Sequence, residues 1–342
     1  MAETPRKPKP PMSRLTRLSL RLVDRVTDAT RRADGTVNRC ALSLLDPRVP
    51  AVPAPCRGVA SRDLVLDRAR RLRARLFYPA AAASPLPVVV FFHGGGFAFL
   101  SAASPAYDAA CRRLARYASA AVLSVDYRRA PEHRFPAPYD DGAAALRFLD
   151  DPKNHRPAGV PLDASRCFLA GDSAGGNIAH HVARRYAADA ASFTHVRVAG
   201  LVAVQPFFGG EERTPAELRL DGAVPIVSVA RADWLWRAFL PPGADRTHEA
   251  ANFAAPAAAA GLDSPAFPPV LLAVGGYDPL QDWQRRYAAA LRSRGKDVRV
   301  VEYPDAIHAF YVFSEFDDAR DLMIRIAEFV AESAGAAGGS GG

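Results

Sequence analysis

The chain has 342 residues, of which 49% are hydrophobic and 23% are charged, and its formal net charge is +8. This length allows one large buried core or two smaller ones, and no apolar run approaches the ~18 residues that predict a membrane-spanning helix. Most of the net positive charge falls within residues 1–40, which hold ten Lys or Arg against four Asp or Glu. A nucleic-acid-binding enzyme would instead carry its basic surface around its chemistry, so that class is disfavoured.

Residues 1–12 are rich in Pro and Lys and predict a disordered tail before a helix. Apolar residues then recur at spacings of three and four, each directly after an arginine: Leu15, Leu18, Leu22 and Val26. This spacing predicts a helix with one apolar face. Three interpretations stay open, namely a lid packed on the main domain, a helix on a membrane surface and an organelle transit peptide. We assign residues 13–60 to this N-terminal segment.

From residue 72 onward, short apolar runs alternate with helical segments. The predicted strands are residues 71–79, 87–92, 121–127, 167–171, 198–208, 269–276 and 298–304. Helical patterns at residues 106–118 and 282–295 lie between them. Continuous apolar runs separated by helices predict an α/β fold with a mostly parallel central sheet flanked by helices.

One connection is longer than a simple crossover requires, because about sixty residues separate two of these strands. Such an insertion commonly covers the ends of the strands, so residues 209–266 predict a cap. We therefore expect a single catalytic domain over residues 61–334, with residues 335–342 as a flexible Gly-rich tail.

"HGGGF", which starts at His93, follows the predicted strand 87–92 with three consecutive glycines. Glycine lets a bare backbone N–H approach a ligand closely, and such donors can stabilise an oxyanion that develops during acyl transfer. We expect Gly94 and Gly95 to be two of these donors and His93 to hold the loop rather than act as a base.

Gly171-Asp172-Ser173-Ala174-Gly175 lies between a predicted buried strand and a helical segment. G-x-S-x-G in this setting is the nucleophile elbow, a turn so tight that only small residues are accommodated two positions before and after the serine. The pattern predicts Ser173 as a nucleophile above the sheet and the Ala174 N–H as a third oxyanion donor.

A serine nucleophile needs a base, and the base needs an acid that orients it. After the elbow, Asp278 follows the strand 269–276 and His308 follows the strand 298–304, in the order serine, acid, histidine. Both lie at the carboxyl ends of their strands, where open α/β sheets place their sites. Asp282 and Asp305 remain alternative acids.

Other histidines are weaker candidates for the base. His248 is the remaining alternative, whereas His195 precedes a strand and should lie at the opposite end of the sheet. His180 and His181 are adjacent on a helix and do not share a face, so they predict no metal pair. We expect no metal site at these histidines.

Five segments carry a family resemblance: "HGGGF", "DYRRAPEHRFPAPYDD", "GDSAGGNIAHHVA", "DPLQDW" and "HAF". Over about residues 13–332 the chain resembles plant carboxylesterases of the hormone-sensitive-lipase-like branch of the α/β-hydrolases. The resemblance implies the α/β-hydrolase fold and hydrolysis of carboxylic esters without a cofactor. It also implies that Glu132 and His133 tie a loop and take no part in catalysis.

Residues 31–51 and 205–217 resemble the gibberellin receptors, esterase-derived proteins that close an N-terminal helical lid over the hormone. This resemblance favours the lid among the three interpretations of the N-terminal helix, for residues 13–45. It also makes a hormone-binding protein with little hydrolytic activity the alternative function. Tyr107 and Arg231 match receptor positions that contact the hormone. Gly96 and His308 depart from the receptors, which typically have serine and lack the histidine there, and Leu235 replaces a receptor tyrosine. These departures favour catalysis.

The expected function is hydrolysis of small hydrophobic carboxylic esters through an acyl-enzyme. Candidate substrate-binding residues are Gly96, Phe97, Tyr107, Phe207, Arg231 and Phe310, with Phe208 and Trp234 as further apolar walls. We expect a small-molecule ester as partner, with no nucleic acid, no stable membrane insertion and no preference for lipid interfaces.

The four cysteines lack the spacing of metal ligands or of a disulfide framework, and the N-terminal residues lack the apolar segment of a secretory signal. We expect reduced thiols and a cytoplasmic location, with the nucleus as a second compartment and the plastid left open.

Overall fold

A computed structural model describes residues 10–32, 34–82 and 84–338. Within these residues eight strands form one sheet in the order β1-β2-β4-β3-β5-β6-β7-β8. Their bounds are β1 Val59–Asp67, β2 Leu72–Pro79, β3 Leu86–Phe92, β4 Ala121–Asp126, β5 Leu162–Asp172, β6 Val198–Val204, β7 Val270–Tyr277 and β8 Val298–Ile307. β2 pairs antiparallel with β1 and β4, and the other neighbours are parallel, so the predicted mostly parallel sheet is confirmed.

Helices cover both faces of this sheet and the carboxyl ends of its strands. Their bounds are α1 Arg14–Ala29, α2 Arg39–Leu45, α3 Pro105–Tyr117, α4 Ala137–Asp150, α5 Ala174–Ala188, α6 Pro215–Leu220, α7 Val229–Phe239, α8 Gln281–Ser293 and α9 Asp317–Gly338. The Ser13 side chain caps α1 by accepting the Thr16 N–H at 3.0 Å. No helix in the described ranges has both the length and the apolar character to cross a membrane.

β3 shows why the sheet has two cores. Val88, Val90 and Phe92 face one hydrophobic cluster, and Val89 and Phe91 face the other. Alternate side chains of a strand point to opposite faces of the sheet, so a strand buried on both faces needs a continuous apolar sequence. β3 is therefore buried on both faces of the sheet.

β1 is absent from the strands predicted from the sequence. It is an edge strand paired only with β2, and its burial falls off along its length. Arg62 and Asp63 interrupt its apolar residues, so a search for continuous apolar runs does not detect it.

The N-terminal helix α1 contacts the cap, and only part of its predicted apolar face is turned toward the protein: Leu22 and Val26 line a cavity. Leu15, Leu18 and Leu22 are 77%, 66% and 62% exposed, whereas Leu20 is buried. α1 is held instead through Asp24, which pairs with Arg231 on α7 in the cap. Helical spacing identified the helix correctly, but polar contacts decide which side of it faces the protein.

Candidate active site

The nucleophile elbow has the geometry that the G-x-S-x-G pattern predicts. β5 ends at Asp172, α5 begins at Ala174, and Ser173 between them has φ 53° and ψ −121°. Positive φ is strained for a residue other than glycine and is found mainly where function requires it. A Cβ at Gly175 would lie 1.9 Å from the carbonyl oxygen of Phe92, so that glycine cannot be replaced without moving the chain.

Ser173 opens into a cavity of about 530 Å³ that also contains Gly95, Gly96 and His308. Residues of the lid, the cap and the loops above the sheet form its mostly apolar wall. They include Leu20, Leu22, Val23, Leu42, Leu45, Phe99, Phe207, Ile226, Leu235 and Phe313. The lid residues were not predicted to line the cavity. Helical spacing shows that a helix has an apolar face, but it does not show which part of the protein that face contacts.

His308 lines this cavity, and the buried Asp278 lies behind it, beyond the ends of β7 and β8. The Nδ1 of His308 lies 2.8 Å from the Oδ2 of Asp278, and both side chains are buried. Asp278 also accepts the Leu280 N–H at 2.9 Å and the Gln284 side-chain amide at 2.8 Å. These contacts orient the acid, and the acid in turn orients the imidazole.

Asp278 occupies the Nδ1 of His308, so Nε2 is the ring nitrogen that remains for another partner. No hydrogen bond joins the Ser173 hydroxyl to the His308 ring in the part of the chain that the structure describes. Nucleophile–base contacts of this kind often tighten only in the complex with substrate. Ser173 and His308 thus line the same cavity, and Asp278 is bound to the far ring nitrogen of His308.

The charge of Asp278 sets the proton affinity of His308. Burial by itself lowers the pKa of the imidazole, but the Asp278 carboxylate beside it, together with the charge of Asp172, outweighs burial and raises the pKa above the ordinary value of 6.5. A raised pKa makes His308 a better proton acceptor during attack, but it also requires a higher pH to keep the base neutral.

Gln205 holds the loop that carries His308, and sequence reasoning did not identify it. Its side-chain oxygen accepts the Ala309 N–H at 2.8 Å, and its side-chain nitrogen donates to the Ile307 carbonyl at 3.1 Å. One buried amide thus binds the backbone on both sides of His308. A glutamine after a strand carries no recognisable pattern, so only the folded structure reveals this role.

The alternative acids and base do not reach the site. Asp282 accepts the Ala216 N–H at 2.8 Å, and Asp305 is exposed beside a separate small cleft. His248 accepts the Ala250 N–H through its Nδ1 at 3.1 Å. None of the three lines the cavity of Ser173.

The paired histidines of α5 belong to the core. The Nδ1 of His180 lies 2.9 Å from the Tyr287 hydroxyl, and the Nδ1 of His181 lies 2.9 Å from Arg184. His195 is exposed just before β6, at the amino ends of the parallel strands. Among the described residues, no group of His, Cys, Asp or Glu is arranged to hold a metal ion.

The glycine loop requires a correction to the expected oxyanion donors. The Gly94 N–H is directed at the Tyr107 hydroxyl, 2.7 Å away, and at the Oδ1 of Asp172, 2.9 Å away. The N–H groups of Gly95 and Gly96 have no acceptor within the described ranges, and both glycines line the cavity. Gly96, expected only to bind substrate, therefore replaces Gly94 as the available donor beside Gly95.

Ala174 supplies the third donor. It is the first residue of α5, where a backbone N–H has no acceptor within its own helix. The partial positive charge of a helix N-terminus also favours a developing anion at this position. Gly95, Gly96 and Ala174 are thus the donors that this loop and helix leave free.

Two expected pocket residues lie elsewhere. Phe97 is fully buried and stacks on Phe239 with ring centroids 3.7 Å apart, outside the cavity wall. Phe310 packs against Tyr303, with ring centroids 4.9 Å apart, and lines the separate small cleft. Both residues are buried, as their aromatic character predicts. A sequence does not distinguish an aromatic residue buried in the core from one that lines a ligand pocket. Phe208 and Trp234 are likewise absent from the wall.

Tyr107, Phe207 and Arg231 do line the cavity, but two of them have other partners. The Tyr107 hydroxyl lies 2.9 Å from the Oδ2 of Asp172 and donates to it. The Arg231 guanidinium binds the lid residues Asp24 and Asp28. Their polar groups are therefore committed to the protein, and Phe207 offers only apolar contact.

His93 and Glu132 act as expected from the sequence, as groups that hold loops. His93 Nδ1 lies 2.8 Å from the Gly94 carbonyl oxygen, and burial lowers the pKa of this histidine to about 4, which keeps it neutral. Glu132 accepts Arg39 Nε at 2.9 Å, which ties the loop after β4 to the lid helix α2.

Comparison with known proteins agrees with this architecture. The profile of the α/β-hydrolase fold matches residues 89–312, and the chain belongs to this family. It is 42% identical to the gibberellin receptor GID1C of Arabidopsis thaliana over 317 residues, which cover 88% of this chain and 89% of the receptor. Carboxylesterase 20 of the same plant is 34% identical, over 79% of this chain and 84% of that protein.

Solved structures of esterases share the fold. The ester hydrolase EH1AB1 from the Lake Arreo metagenome has a TM-score of 0.74 at 29% identity, covering 95% of this chain and 99% of that one. The Pyrobaculum calidifontis esterase has a TM-score of 0.72 at 28% identity with the same coverage. The resemblance to plant carboxylesterases and gibberellin receptors and the α/β-hydrolase fold are both confirmed.

Proposed function

We propose that the protein is a serine carboxylesterase. The observation that carries the proposal is the buried His308–Asp278 pair, with Nδ1 and Oδ2 2.8 Å apart, whose His308 lines the cavity that contains Ser173. The free N–H groups of Gly95 and Gly96 face the same cavity. Nucleophile, base, acid and oxyanion donors are thus together in one place.

The reaction proceeds in two acyl-transfer steps. His308 accepts the Ser173 proton as the hydroxyl oxygen attacks the ester carbonyl, and Asp278 stabilises the imidazolium that forms. The negative charge on the carbonyl oxygen is stabilised by the N–H groups of Gly95, Gly96 and Ala174. His308 then gives its proton to the departing alcohol, and water repeats the sequence on the acyl-enzyme.

The cavity favours uncharged, hydrophobic esters. Its wall is mainly aliphatic and aromatic, and apolar groups gain about 25 cal/mol for each Å² that they remove from water. Arg231 contributes a guanidinium to this wall, but Asp24 and Asp28 already pair with it. A substrate with its own carboxylate would find no unpaired arginine among the described residues of this wall.

A second candidate is a gibberellin-receptor-like binding protein. Two observations favour it, namely the 42% identity to a protein named as a gibberellin receptor and the lid that covers the cavity with Leu20, Leu42 and neighbouring residues. The ester-hydrolase proposal is supported against it by His308, paired with Asp278, and by the glycine at position 96. A binding protein needs neither.

The test is hydrolysis of short-chain p-nitrophenyl esters by the wild-type protein, Ser173→Ala and the control Ser165→Ala. Ser165 lies on β5, the strand that leads to the elbow, and its hydroxyl donates to Asp163 far from the cavity. We expect Ser173→Ala to lose on the order of 10³-fold or more in kcat and Ser165→Ala to match the wild type.

The same preparations are titrated with a gibberellin by calorimetry. Turnover by the wild type that disappears in Ser173→Ala, without binding of the hormone, is the result expected of the esterase. An inert wild type that binds the hormone would overturn the esterase proposal in favour of the second candidate.

A further inference from the structure

Asp172, the residue before the nucleophile, is hydrogen-bonded to Gly94, the residue that precedes the oxyanion donors Gly95 and Gly96 in the glycine loop. Its Oδ1 accepts the Gly94 N–H at 2.9 Å, and its Oδ2 accepts the Tyr107 hydroxyl at 2.9 Å. Gly94 N lies 2.7 Å from the same hydroxyl oxygen. The three residues come from β5, α3 and the loop after β3 and form a closed, buried hydrogen-bonded triangle.

The first glycine of the loop is required by this triangle. A Cβ at position 94 would lie 2.6 Å from the Oδ2 of Asp172 and 2.7 Å from the Tyr107 hydroxyl. Position 94 must therefore be glycine so that the carboxylate can reach the backbone. This separates its role from those of Gly95 and Gly96, whose N–H groups stay free.

The environment of the carboxyl is mainly neutral. Asp172 is 1% exposed, and the ionisable groups that act on it or feel its charge are Tyr107, Tyr127, Tyr311, Cys111 and His308. Burial raises the pKa of Asp172 to about 6, although the Tyr107 and Tyr311 hydroxyls, His308 and the Gly94 N–H all favour the charged form. At neutral pH the carboxyl is therefore ionised but close to its titration range.

We infer that Asp172 is a positioning residue: its carboxylate holds Gly94, and through it the N–H groups of Gly95 and Gly96, in place opposite Ser173. Asp172 is bonded covalently to Ser173, and Gly94 is bonded covalently to Gly95. One contact thus fixes the distance between the nucleophile and the oxyanion donors. This inference rests on the proposed esterase function. It gives Asp172 an indirect role, because Asp172 acts on the oxyanion donors through Gly94.

The ionised form matters because it accepts two donors at once. A carboxylate accepts hydrogen bonds at both oxygens, and bonds to a charged acceptor are roughly twice as strong as neutral ones. A protonated carboxyl turns one of its oxygens into a donor and would compete with the Tyr107 hydroxyl. Donors aimed in advance at the developing oxyanion account for much of the rate enhancement in such sites, so a loosened loop costs turnover.

The first experiment measures kcat, KM and the inhibition constant of a trifluoromethyl ketone for the wild type and Asp172→Asn. We expect kcat to fall about 10- to 100-fold with KM nearly unchanged, and the affinity for this tetrahedral-adduct inhibitor to fall by a similar factor. Asp141→Asn is the control, since Asp141 is equally buried but binds Arg128, outside the cavity. A general packing defect would lower stability in both variants without lowering inhibitor affinity.

The second experiment needs no turnover. In the glycine-labelled wild type, the amide resonance of Gly94 should shift with pH around a midpoint near 6, and the shift should be absent from Asp172→Asn. If that variant does not fold, Tyr107→Phe takes its place, with the midpoint displaced because one hydrogen bond to the carboxylate is lost.

The outcomes separate this inference from the proposed function. A wild type that hydrolyses no ester contradicts the esterase, while the Gly94 titration still supports or refutes the positioning contact. An active wild type whose Asp172→Asn variant keeps full kcat and inhibitor affinity overturns the inference. So does a Gly94 resonance that does not respond to pH between 5 and 7.

Discussion

The Nη1 of Arg231 in the cap lies 2.6 Å from the Oδ1 of Asp24 in the lid helix α1. The Nε of Arg231 also donates to Asp28 at 2.9 Å, one helical turn further along the same face of α1. The Asp24 carboxylate accepts the Ile226 N–H at 3.0 Å. Arg231, a residue expected to contact substrate, is thus a polar attachment of helix α1 beside the cavity.

Replacing Arg231 by methionine should raise KM while leaving kcat largely intact. The substitution keeps a long side chain but removes hydrogen bonds to charged groups, each of which contributes about 1.5–3 kcal/mol. A lid that closes less often lowers the population able to retain an apolar substrate. We expect KM to rise about 10-fold in steady-state kinetics and kcat to change by less than about 3-fold.

A double-mutant cycle with Asp24→Asn tests whether the lid contact is the cause. If the two residues act through one another, the double variant should be scarcely worse than either single variant. Arg299→Met is the control, because Arg299 pairs with Glu332 on α9, away from the cavity. Fully additive losses, or an equal effect of Arg299→Met, would contradict the lid explanation.

The pH dependence of kcat/KM should reflect the His308–Asp278 pair. The pKa of His308 is raised above 6.5, and the base must be neutral, so kcat/KM should increase with pH through a midpoint above 6.5. Asp278→Asn removes the charge that counteracts burial, so the midpoint should move down while kcat falls about 10⁴-fold. Hydrolysis followed by pH-stat titration measures both.

Asp282→Asn serves as the control for this experiment. Asp282 lies four residues further along and binds the Ala216 N–H, not His308. Its variant should keep the wild-type midpoint and at least about a third of the activity, since the amide oxygen can still accept the Ala216 N–H and the contact is remote from the chemistry. A midpoint that moves equally in both variants would show that overall charge, and not the pair, sets the pKa.

The sequence predicted the sheet, and the strand ends that carry the proposed catalytic residues, better than it predicted the walls of the cavity. Ser173, Asp278 and His308 could be located because each follows a strand, in the chain order that the elbow pattern implies. Gly94 was given the wrong role because three equivalent glycines carry no sign of which N–H is already bound. Phe97 and Phe310 were wrongly assigned to the pocket because cores and pocket walls are built from the same apolar residue types.

Contacts between distant parts of the chain were the least predictable. Asp24 and Arg231 are 207 positions apart, and Gln205 and Ala309 are 104 apart. Local periodicity reports neither pairing, because it depends on which elements the fold brings together. β1 escaped detection for a different reason, since an edge strand is half exposed and carries charges among its apolar residues.

Gln205→Leu should lower kcat about 10- to 100-fold with little change in KM. The substitution keeps a buried side chain of similar size but removes both hydrogen bonds to the backbone around His308, and small displacements of a base are costly. Gln205→Glu should be intermediate, because a carboxylate can accept the Ala309 N–H but cannot donate to the Ile307 carbonyl. Equal kcat values in all three proteins would refute the role of Gln205.

The difference in stability between Asp172→Asn and the wild type should depend on pH. As the pH rises, the variant should become the more stable protein although it is the less active one. The pKa of Asp172 is raised by burial from 3.8 to about 6. A raised pKa in the folded protein means that this carboxyl contributes stability below pH 3.8, and that the contribution is lost as the pH rises toward 6. Above pH 6 the buried charge costs about 3 kcal/mol relative to acid conditions.

Asparagine carries no charge at any pH, so it escapes this cost. The difference in Tm between Asp172→Asn and the wild type should therefore increase by about 4 °C in favour of the variant between pH 4 and pH 7. Differential scanning calorimetry across this range measures it, and a difference that stays constant with pH would contradict a buried ionised Asp172. A gain in stability together with a loss of kcat would show that the wild type keeps a costly buried charge because that charge positions the glycine loop.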